Sequence, residues 1–333
     1  MTQALPTVLM VSLGGTITMT RDASGGIVPT LDADDLVRSV AGLKTVARIE
    51  TFSPFRKPGA SLTIDDLISV ASLLNDKLAG NTAGAVVIQG TDTIEETAFV
   101  LDRLVAGDRP VIVTGAMRGP EAAGADGPAN LLASTIVAAS PKAIGRGVLV
   151  VLNDEIHAAR YVQKSHTALP SAFKSPVCGP VGLVIEGRAC FHLDVKRSRP
   201  LPATLSDTDR AVALVKLGLG DDGRIITALA SLGFSGAVIE GMGAGHVPAD
   251  VAPLLASLAE QMPVVLASRV DAGPSFRNTY AFPGSEIDLL KRGLIPSGSL
   301  NGLKARLLMS LLLRAGSDLG AIREIFAQAA EQA

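Results

Sequence analysis

The chain has 333 residues, of which 47% are hydrophobic and 19% charged, and its formal net charge is −2. This length predicts two domains or one large one, with a core that needs no disulfide or metal for stability. The near-neutral charge argues against a nucleic-acid or anionic-lipid partner. Nine Phe, two Tyr and no Trp also leave few rings on which single-stranded bases could stack.

Cysteine and histidine patterns give no sign of a metal site. Cys178 and Cys190 are too few for a disulfide framework or a zinc cluster, and the four histidines lack ligand spacing. No run approaches the roughly 18 apolar residues of a membrane span, and the amino-terminal segment is typical of a first strand rather than a signal peptide. We therefore expect a cytoplasmic protein without a metal, another cofactor or a membrane partner.

Strands and helices alternate along the first part of the chain. Continuous apolar runs, typical of parallel strands covered on both faces, occur at 7–13, 85–89, 110–114 and 148–152. Helical periodicity occurs at 64–78, 94–105 and 129–139. Thr63 and Asp66 predict a capped start for the first of these helices. Residues 1–193 are therefore predicted to form a doubly wound α/β domain.

A polar segment with two prolines, residues 194–209, is predicted to be a linker. The alternation then resumes on a smaller scale. Strands are predicted at 211–217, 236–240 and 263–268, and helices at 250–261, 286–292, 303–314 and 318–332. Residues 210–333 are therefore predicted to form a second, smaller α/β domain.

The residues that follow the predicted strands are the candidates for chemistry, because ligands of open α/β sheets bind at the carboxyl ends of strands. The glycines at 15 and 90 would let the backbone approach a ligand closely. The reactive candidates are two hydroxyls, a carboxylate and a lysine: Thr16, Thr91, Asp92 and Lys164. Such a set can perform acyl transfer. Each also has a structural interpretation as a turn, a helix cap or a solvated charge, so spacing alone identifies no substrate.

Five segments carry a resemblance to a known family. They are SLGGTI at 12–17, QGTDTIEET at 89–97, VTGAM at 113–117 with ADGPANL at 125–131, VLNDEIHAARYVQKSHT at 151–167, and GSEIDLLKRGLIPSGSLNGLKARLLMSLLL at 284–313. With these segments in this order, nearly the whole chain resembles the bacterial-type L-asparaginases, which are amidohydrolases with a threonine nucleophile. The resemblance implies a larger N-terminal and a smaller C-terminal α/β domain. It also implies hydrolysis of L-asparagine to L-aspartate and ammonia through a threonine-linked acyl-enzyme.

The resemblance implies a role for each matching residue. Thr16 would be the nucleophile, Thr91 would position the hydrolytic water, and Lys164 would pair with Asp92. Asp92 would also receive the substrate's α-ammonium, together with Glu286 from the neighbouring subunit of a homotetramer built from two intimate dimers. Two carboxylates around one cation would favour an α-amino acid.

Other positions would bind the substrate. Ser61 falls near the serine that holds the α-carboxylate, although an alignment shifted by one residue would place Ala60 there. Gly15, Gly90 and Ala116 would contribute backbone to the substrate site, with N–H groups in these loops as candidate donors to the oxyanion.

Two departures from the family pattern stand out. The lid segment, residues 18–36, contains no tyrosine where the family usually has one, and His246 stands where an asparagine is usual. His246 is either a surface or interface histidine or a substrate contact. Tyr280 is either a packing residue or a partial replacement for the lid tyrosine. A water molecule or Lys164 could instead take the Thr16 proton directly.

Three functions remain open from the sequence. The first is an L-asparaginase, and the second is a mixed glutaminase-asparaginase, because one methylene is usually discriminated by only about 10–200-fold. The third is a weakly active amino-acid-binding relative. A nucleotide-binding Rossmann protein is disfavoured, because no GxGxxG motif follows the first strand.

Overall fold

The computed structural model describes residues 4–15, 19–21, 27–29, 32–201, 205 and 210–331. The chain divides into two compact units, Met1–Pro200 and Leu201–Ala333. The division falls inside the predicted linker at 194–209, of which residues 202–204 and 206–209 lie outside the described part. Both units combine parallel strands with helices, so the predicted α/β class is confirmed.

The first unit is built around one large sheet. The strands described in this unit are β1 (Thr7–Ser12), β2 (Met19–Arg21), β3 (Ile27–Pro29), β4 (Arg48–Phe52), β5 (Thr82–Ile88), β6 (Val111–Thr114), β7 (Val148–Leu152), β8 (Glu155–Ala158), β9 (Gln163–Lys164), β10 (Phe173–Lys174), β11 (Gly182–Ile185) and β12 (Arg188–Phe191). All but β2, β3, β9 and β10 belong to the large sheet. Its helices are α1 (Ala33–Ser39), α2 (Leu43–Val46), α3 (Ile64–Leu78), α4 (Ile94–Leu104) and α5 (Gly127–Ala139). Short 3₁₀ turns lie at Gly59–Ser61, Thr91–Thr93 and Pro141–Ala143.

The large sheet has the strand order β12-β11-β8-β7-β6-β5-β1-β4. The five strands from β7 to β4 run parallel, and β8, β11 and β12 continue the sheet in antiparallel fashion. Side chains of α1, α2 and α5 share one apolar core with alternate residues of the parallel strands. Helices α3 and α4 pack against each other and against β5, β6 and β7. Helices therefore cover both faces, which explains the continuous apolar runs.

Local signals in the sequence fix the helix starts. Helix α3 spans the predicted 64–78, and Thr63 and Asp66 form the predicted capping box, in which each side chain accepts the other residue's backbone N–H.

The turn between β7 and β8 consists of two residues, Asn153 and Asp154, with φ of 54° and 59°. Asparagine and aspartate tolerate this left-handed conformation, which two-residue hairpins favour.

The second unit contains a smaller, wholly parallel sheet. Its strands, in the spatial order of the sheet, are β13 (Val212–Lys216), β14 (Gly236–Gly241), β15 (Val264–Ser268) and β16 (Ile295–Pro296). Its helices are α6 (Arg224–Ala228), α7 (Ala252–Ala259), α8 (Glu286–Lys291), α9 (Gly302–Arg314) and α10 (Leu319–Glu331). The predicted strands and helices of this unit are present, whereas α6 and β16 were not predicted.

Candidate active site

Three glycines bring three loops of the first unit together at the carboxyl end of the parallel strands. A Cβ added to Gly15, which follows β1, would lie 1.9 Å from the backbone nitrogen of Gly90, which follows β5. A Cβ on Gly59 would lie 2.9 Å from the carbonyl oxygen of Gly90. Side chains longer than hydrogen would force the loops apart, so glycine is required where the backbones meet.

The predicted nucleophile, Thr16, lies outside the described residues, but its neighbour Gly15 is placed beside Gly90. Eight of the 19 residues of the predicted lid at 18–36 are also outside them. Within that segment, β2 and β3 pair as an antiparallel hairpin, and α1 begins at Ala33. Gly15, the residue before Thr16, therefore lies next to the loop that carries Thr91.

The structure brings Thr91, Asp92 and Lys164 together. Thr91 is buried in the turn between β5 and α4, and the Lys164 Nζ lies 2.9 Å from its Oγ1 and 3.0 Å from Asp92 Oδ1. The Lys164 side chain is 18% exposed, whereas the Asp92 side chain is 65% exposed. The carboxylate therefore pairs with the lysine on one side and remains accessible to a ligand on the other.

Lys164 is supplied by β9, which pairs only with the equally short β10 among the described residues. A buried contact with β8 holds this hairpin, because His157 Nδ1 lies 3.0 Å from Ser175 Oγ. The half-exposed Lys174 Nζ lies 3.8 Å from Glu155 Oε2, a surface pair that adds little. Burial lowers the pKa of His157 below its ordinary value, although the neighbouring Glu155 carboxylate acts in the opposite direction. A neutral imidazole thus helps to support the strand that carries the lysine.

The loop after β6 holds Ala116, whose side chain is buried. Two residues without an assigned role in the sequence analysis fix this loop. Asn130 Nδ2 donates to the Gly115 carbonyl at 3.0 Å, and its Oδ1 accepts the Asn153 N–H at 2.9 Å. Asp126 accepts the N–H groups of the two residues that follow Ala116, at 3.0 and 2.8 Å. Asp126 and Asn130 both lie in the ADGPANL segment that carries the family resemblance. That segment was the feature of the sequence that could have identified them.

Ser61 and Ala60 occupy the Gly59–Ser61 turn, and both side chains are exposed. This turn is bonded to the turn that carries Thr91, because Thr93 Oγ1 donates to the Gly59 carbonyl at 3.0 Å. Gln89 Nε2 in turn donates to Thr93 Oγ1 at 3.0 Å. Ser61 and Ala60 therefore both lie near Thr91 and Asp92.

The second unit places Glu286, His246 and Tyr280 together. Glu286 begins α8, and its side chain has no solvent exposure. Its Oε1 accepts the backbone N–H groups of Thr279 at 2.9 Å and Tyr280 at 2.6 Å, and its Oε2 lies 3.1 Å from His246 Nε2. Burial alone would raise the pKa of Glu286, but the backbone hydrogen bonds, with a contribution from His246, lower it below its usual value.

His246 ends a tight glycine-rich turn after β14, closed by the Met242 N–H bonding to the His246 carbonyl at 2.7 Å. Its ring meets Tyr280 and Phe282 edge to face, with centroids 5.0 and 5.1 Å away, and Phe276 stacks on Tyr280. All three carbocyclic rings are exposed. In a chain with only 3% aromatic residues, this exposed cluster of rings is a distinct surface feature.

The described residues contain no group of three or more histidine, cysteine, aspartate or glutamate side chains arranged to hold a metal ion. None of their helices is long and apolar enough to cross a membrane.

Comparison with known proteins agrees with the resemblance. The family model described as "Asparaginase, N-terminal" matches residues 7–197, and that of the "Glutaminase/Asparaginase C-terminal domain" matches residues 211–326. A probable L-asparaginase of Deinococcus radiodurans is 35% identical, over 98% of this chain and 99% of its own. L-asparaginase 2 of Escherichia coli is 33% identical, over 98% of this chain and 94% of its own.

Among solved structures, a probable cytoplasmic L-asparaginase from Campylobacter jejuni matches with a TM-score of 0.86 and 29% identity, over 97% of this chain and 99% of that chain. The match confirms the predicted asparaginase-like fold with a larger N-terminal and a smaller C-terminal domain. On the family models and these relatives, the chain belongs to the asparaginase family.

Proposed function

We propose that this protein is an L-asparaginase, which hydrolyses the side-chain amide of L-asparagine to L-aspartate and ammonia. The observation that carries the proposal is the placement of the Lys164 ammonium within 3.0 Å of both Thr91 Oγ1 and Asp92 Oδ1. This group lies beside the glycine contact that leads to Thr16. A ligand-binding protein needs no nucleophile or proton carrier, so this set of side chains supports an enzyme rather than a binding relative.

In the proposed reaction, the Thr16 hydroxyl attacks the amide carbonyl and loses its proton during the attack. Backbone N–H groups in the loops of Gly15, Gly90 and Ala116 stabilise the oxyanion. The amide nitrogen gains a proton and leaves as ammonia, and an ester of Thr16 remains. A water molecule positioned by Thr91 then attacks this ester, one of its protons passes through Thr91 and Lys164 to the departing Thr16 oxygen, and L-aspartate is released.

Charges around the site account for the proposed choice of an α-amino acid. The exposed face of Asp92 is the proposed ligand for the α-ammonium, and Ser61, or Ala60 at the alternative alignment, lines the α-carboxylate pocket. Glu286 is the proposed second carboxylate, supplied by the partner subunit. Because Glu286 has no exposed surface and His246 covers its Oε2, a ligand would reach this oxygen only after the imidazole moves. We therefore assign Glu286 and His246 to ammonium recognition as a pair.

The proposed active form is a cytoplasmic homotetramer, a dimer of intimate dimers, as the family resemblance implies. The proposed domains are residues 1–193, with the catalytic threonines and the lid at 18–36, and residues 210–333, joined by a linker at 194–209. The exposed rings of Phe276, Tyr280 and Phe282 around His246 support an interface at this surface, because subunit interfaces are enriched in aromatic residues.

Tyr280 is the proposed partial replacement for the missing lid tyrosine. Its ring is exposed and touches His246, and its own N–H donates to Glu286. Tyr280→Phe removes only the hydroxyl, so we expect kcat for L-asparagine to fall about tenfold, the loss of about one hydrogen bond. The other tyrosine, Tyr161, lies in the core, and Tyr161→Phe is the control. Unchanged kcat in Tyr280→Phe would show that the Tyr280 hydroxyl does not activate Thr16. The acceptor of the Thr16 proton would then be a water molecule or Lys164.

Substrate preference decides between the proposed asparaginase and a mixed glutaminase-asparaginase. Steady-state ammonia release from L-asparagine and L-glutamine measures both kcat/KM values. Since one methylene is discriminated by about 10–200-fold, we expect L-asparagine to be preferred within that range. Comparable values for the two amides would support the mixed activity, and no release from either would contradict the proposed function.

A further inference from the structure

Glu95 is a buried carboxylate that connects two distant segments of the chain. It lies in the first turn of α4, and its Oε1 accepts the backbone N–H of Lys164 at 3.0 Å. Its Oε2 is inaccessible to solvent and accepts no hydrogen bond from the described residues. Burying a carboxylate oxygen without a donor is destabilising, so the stability of the fold alone does not account for a glutamate at this position.

Glu95 binds the backbone of β9, the short strand that carries Lys164. Strand β9 consists of Gln163 and Lys164 alone, and such a short pairing with β10 fixes the backbone weakly. The lysine side chain also has several rotatable bonds, so its ammonium is only as well placed as its Cα. A hydrogen bond to the Lys164 N–H restricts the lysine at that point.

The same short stretch of chain holds Lys164 at both ends. Thr91 and Asp92, which contact the ammonium, lie in the turn that continues directly into α4, and Glu95 is in the first turn of that helix. The distance from the Lys164 backbone to Thr91 Oγ1 is therefore set by one rigid element.

We propose that Glu95 is a positioning residue, which acts by fixing the backbone of Lys164 so that its ammonium meets Thr91 and Asp92. It does not touch the substrate. This role rests on the proposed function, because the position of Lys164 affects turnover only if Lys164 transfers a proton during the reaction.

The test compares three variants in kcat and KM for L-asparagine and in crystal structures. Glu95→Ala is expected to lower kcat by about 10–100-fold with KM changed less, because displacement of a catalytic group by about 1 Å costs up to about 100-fold. Glu95→Gln retains an oxygen that can accept the Lys164 N–H, and is expected to stay within about threefold of wild type. Glu96→Gln removes the neighbouring carboxylate from the same helical turn and is expected to behave as wild type.

The crystal structures measure the placement of Lys164 without activity. In Glu95→Ala the Lys164 Nζ is expected to separate from Thr91 Oγ1, and in Glu95→Gln the contact is expected to persist. If Glu95→Ala does not fold, Glu95→Asp, which withdraws the carboxylate by one methylene, is expected to show the same loss of kcat and the same displacement.

Three results would overturn the proposal: a Glu95→Ala protein that is less stable but turns over as fast per folded molecule, a Glu95→Gln protein as slow as Glu95→Ala, or a Glu96→Gln protein that loses as much kcat. If wild type releases no ammonia, the proposed function fails, and the Lys164 positions in the crystals still decide whether Glu95 fixes the lysine.

Discussion

Replacing Lys164 with methionine is expected to lower kcat for L-asparagine by about 10²–10⁴-fold, the usual contribution of a positioned proton-transfer group. Methionine keeps the length and apolar stem of lysine but has no ammonium to contact Thr91 Oγ1 and Asp92 Oδ1. KM is expected to change less, because the substrate's own charges meet other groups. Steady-state kinetics with purified protein measures both parameters.

Lys174→Met is the matched control, because Lys174 lies on β10, which pairs with β9. Its ammonium is half-exposed and lies 3.8 Å from Glu155, away from the threonine. We expect this variant to keep the wild-type kcat. Equal losses in the two variants would indicate damage to the hairpin, and a Lys164→Met protein within threefold of wild type would exclude a role in proton transfer.

The second large effect is expected from Gly15→Ala, which adds a methyl group where two backbones meet. The new Cβ would fall 1.9 Å from the Gly90 nitrogen, and the backbone at Gly15 has a φ of +96°. Strain at positive φ costs about 1–3 kcal/mol and overpacking about as much again, so we expect the free energy of unfolding to fall by about 2–6 kcal/mol. Urea denaturation with a check of the m-value measures this change.

Gly145→Ala separates backbone strain at positive φ from the steric overlap of the added methyl group. Gly145 also has a positive φ, +78°, but an added Cβ meets nothing within 4 Å. This variant should show the strain alone, about 1–3 kcal/mol, and keep its activity. Gly15→Ala should also lose activity, because Thr16 follows it directly. If the two variants are equally stable and equally active, the close contact between the loops of Gly15 and Gly90 does not exist in solution.

Most of the parallel framework could be predicted from the sequence, because buried parallel strands and amphipathic helices leave strong patterns. The capping box of α3 and the three apolar strands at 85–89, 110–114 and 148–152 are examples. The antiparallel strands β8, β11 and β12 were not predicted, since each is only four residues long and β8 and β12 also include charged residues. The turn Asn153-Asp154, which directly follows the predicted strand at 148–152, is a hairpin signal for the return of the chain as β8.

The grouping of Thr91, Asp92 and Lys164 was predictable in part. Thr91 and Asp92 follow a strand, and the carboxyl ends of parallel strands meet at one edge. The position of Lys164 depends instead on a two-residue strand and on a hydrogen bond from its backbone N–H to Glu95, 69 positions earlier in the chain. No periodicity encodes such a contact. The burial of Glu286 beneath His246 is equally a product of loop geometry and had no signal in the sequence.

Thr16 is the proposed nucleophile with which this member of the asparaginase family hydrolyses L-asparagine. The most direct measurement is ammonia release from L-asparagine by the wild-type protein and by Thr16→Ala, with both shown to be folded by circular dichroism. We predict release by wild type and a loss of at least about 10³-fold in the variant, since removing a nucleophile that forms a covalent intermediate leaves only residual catalysis. Equal rates in the two proteins would contradict a nucleophilic role for Thr16, and no release by wild type would contradict the proposed asparaginase activity.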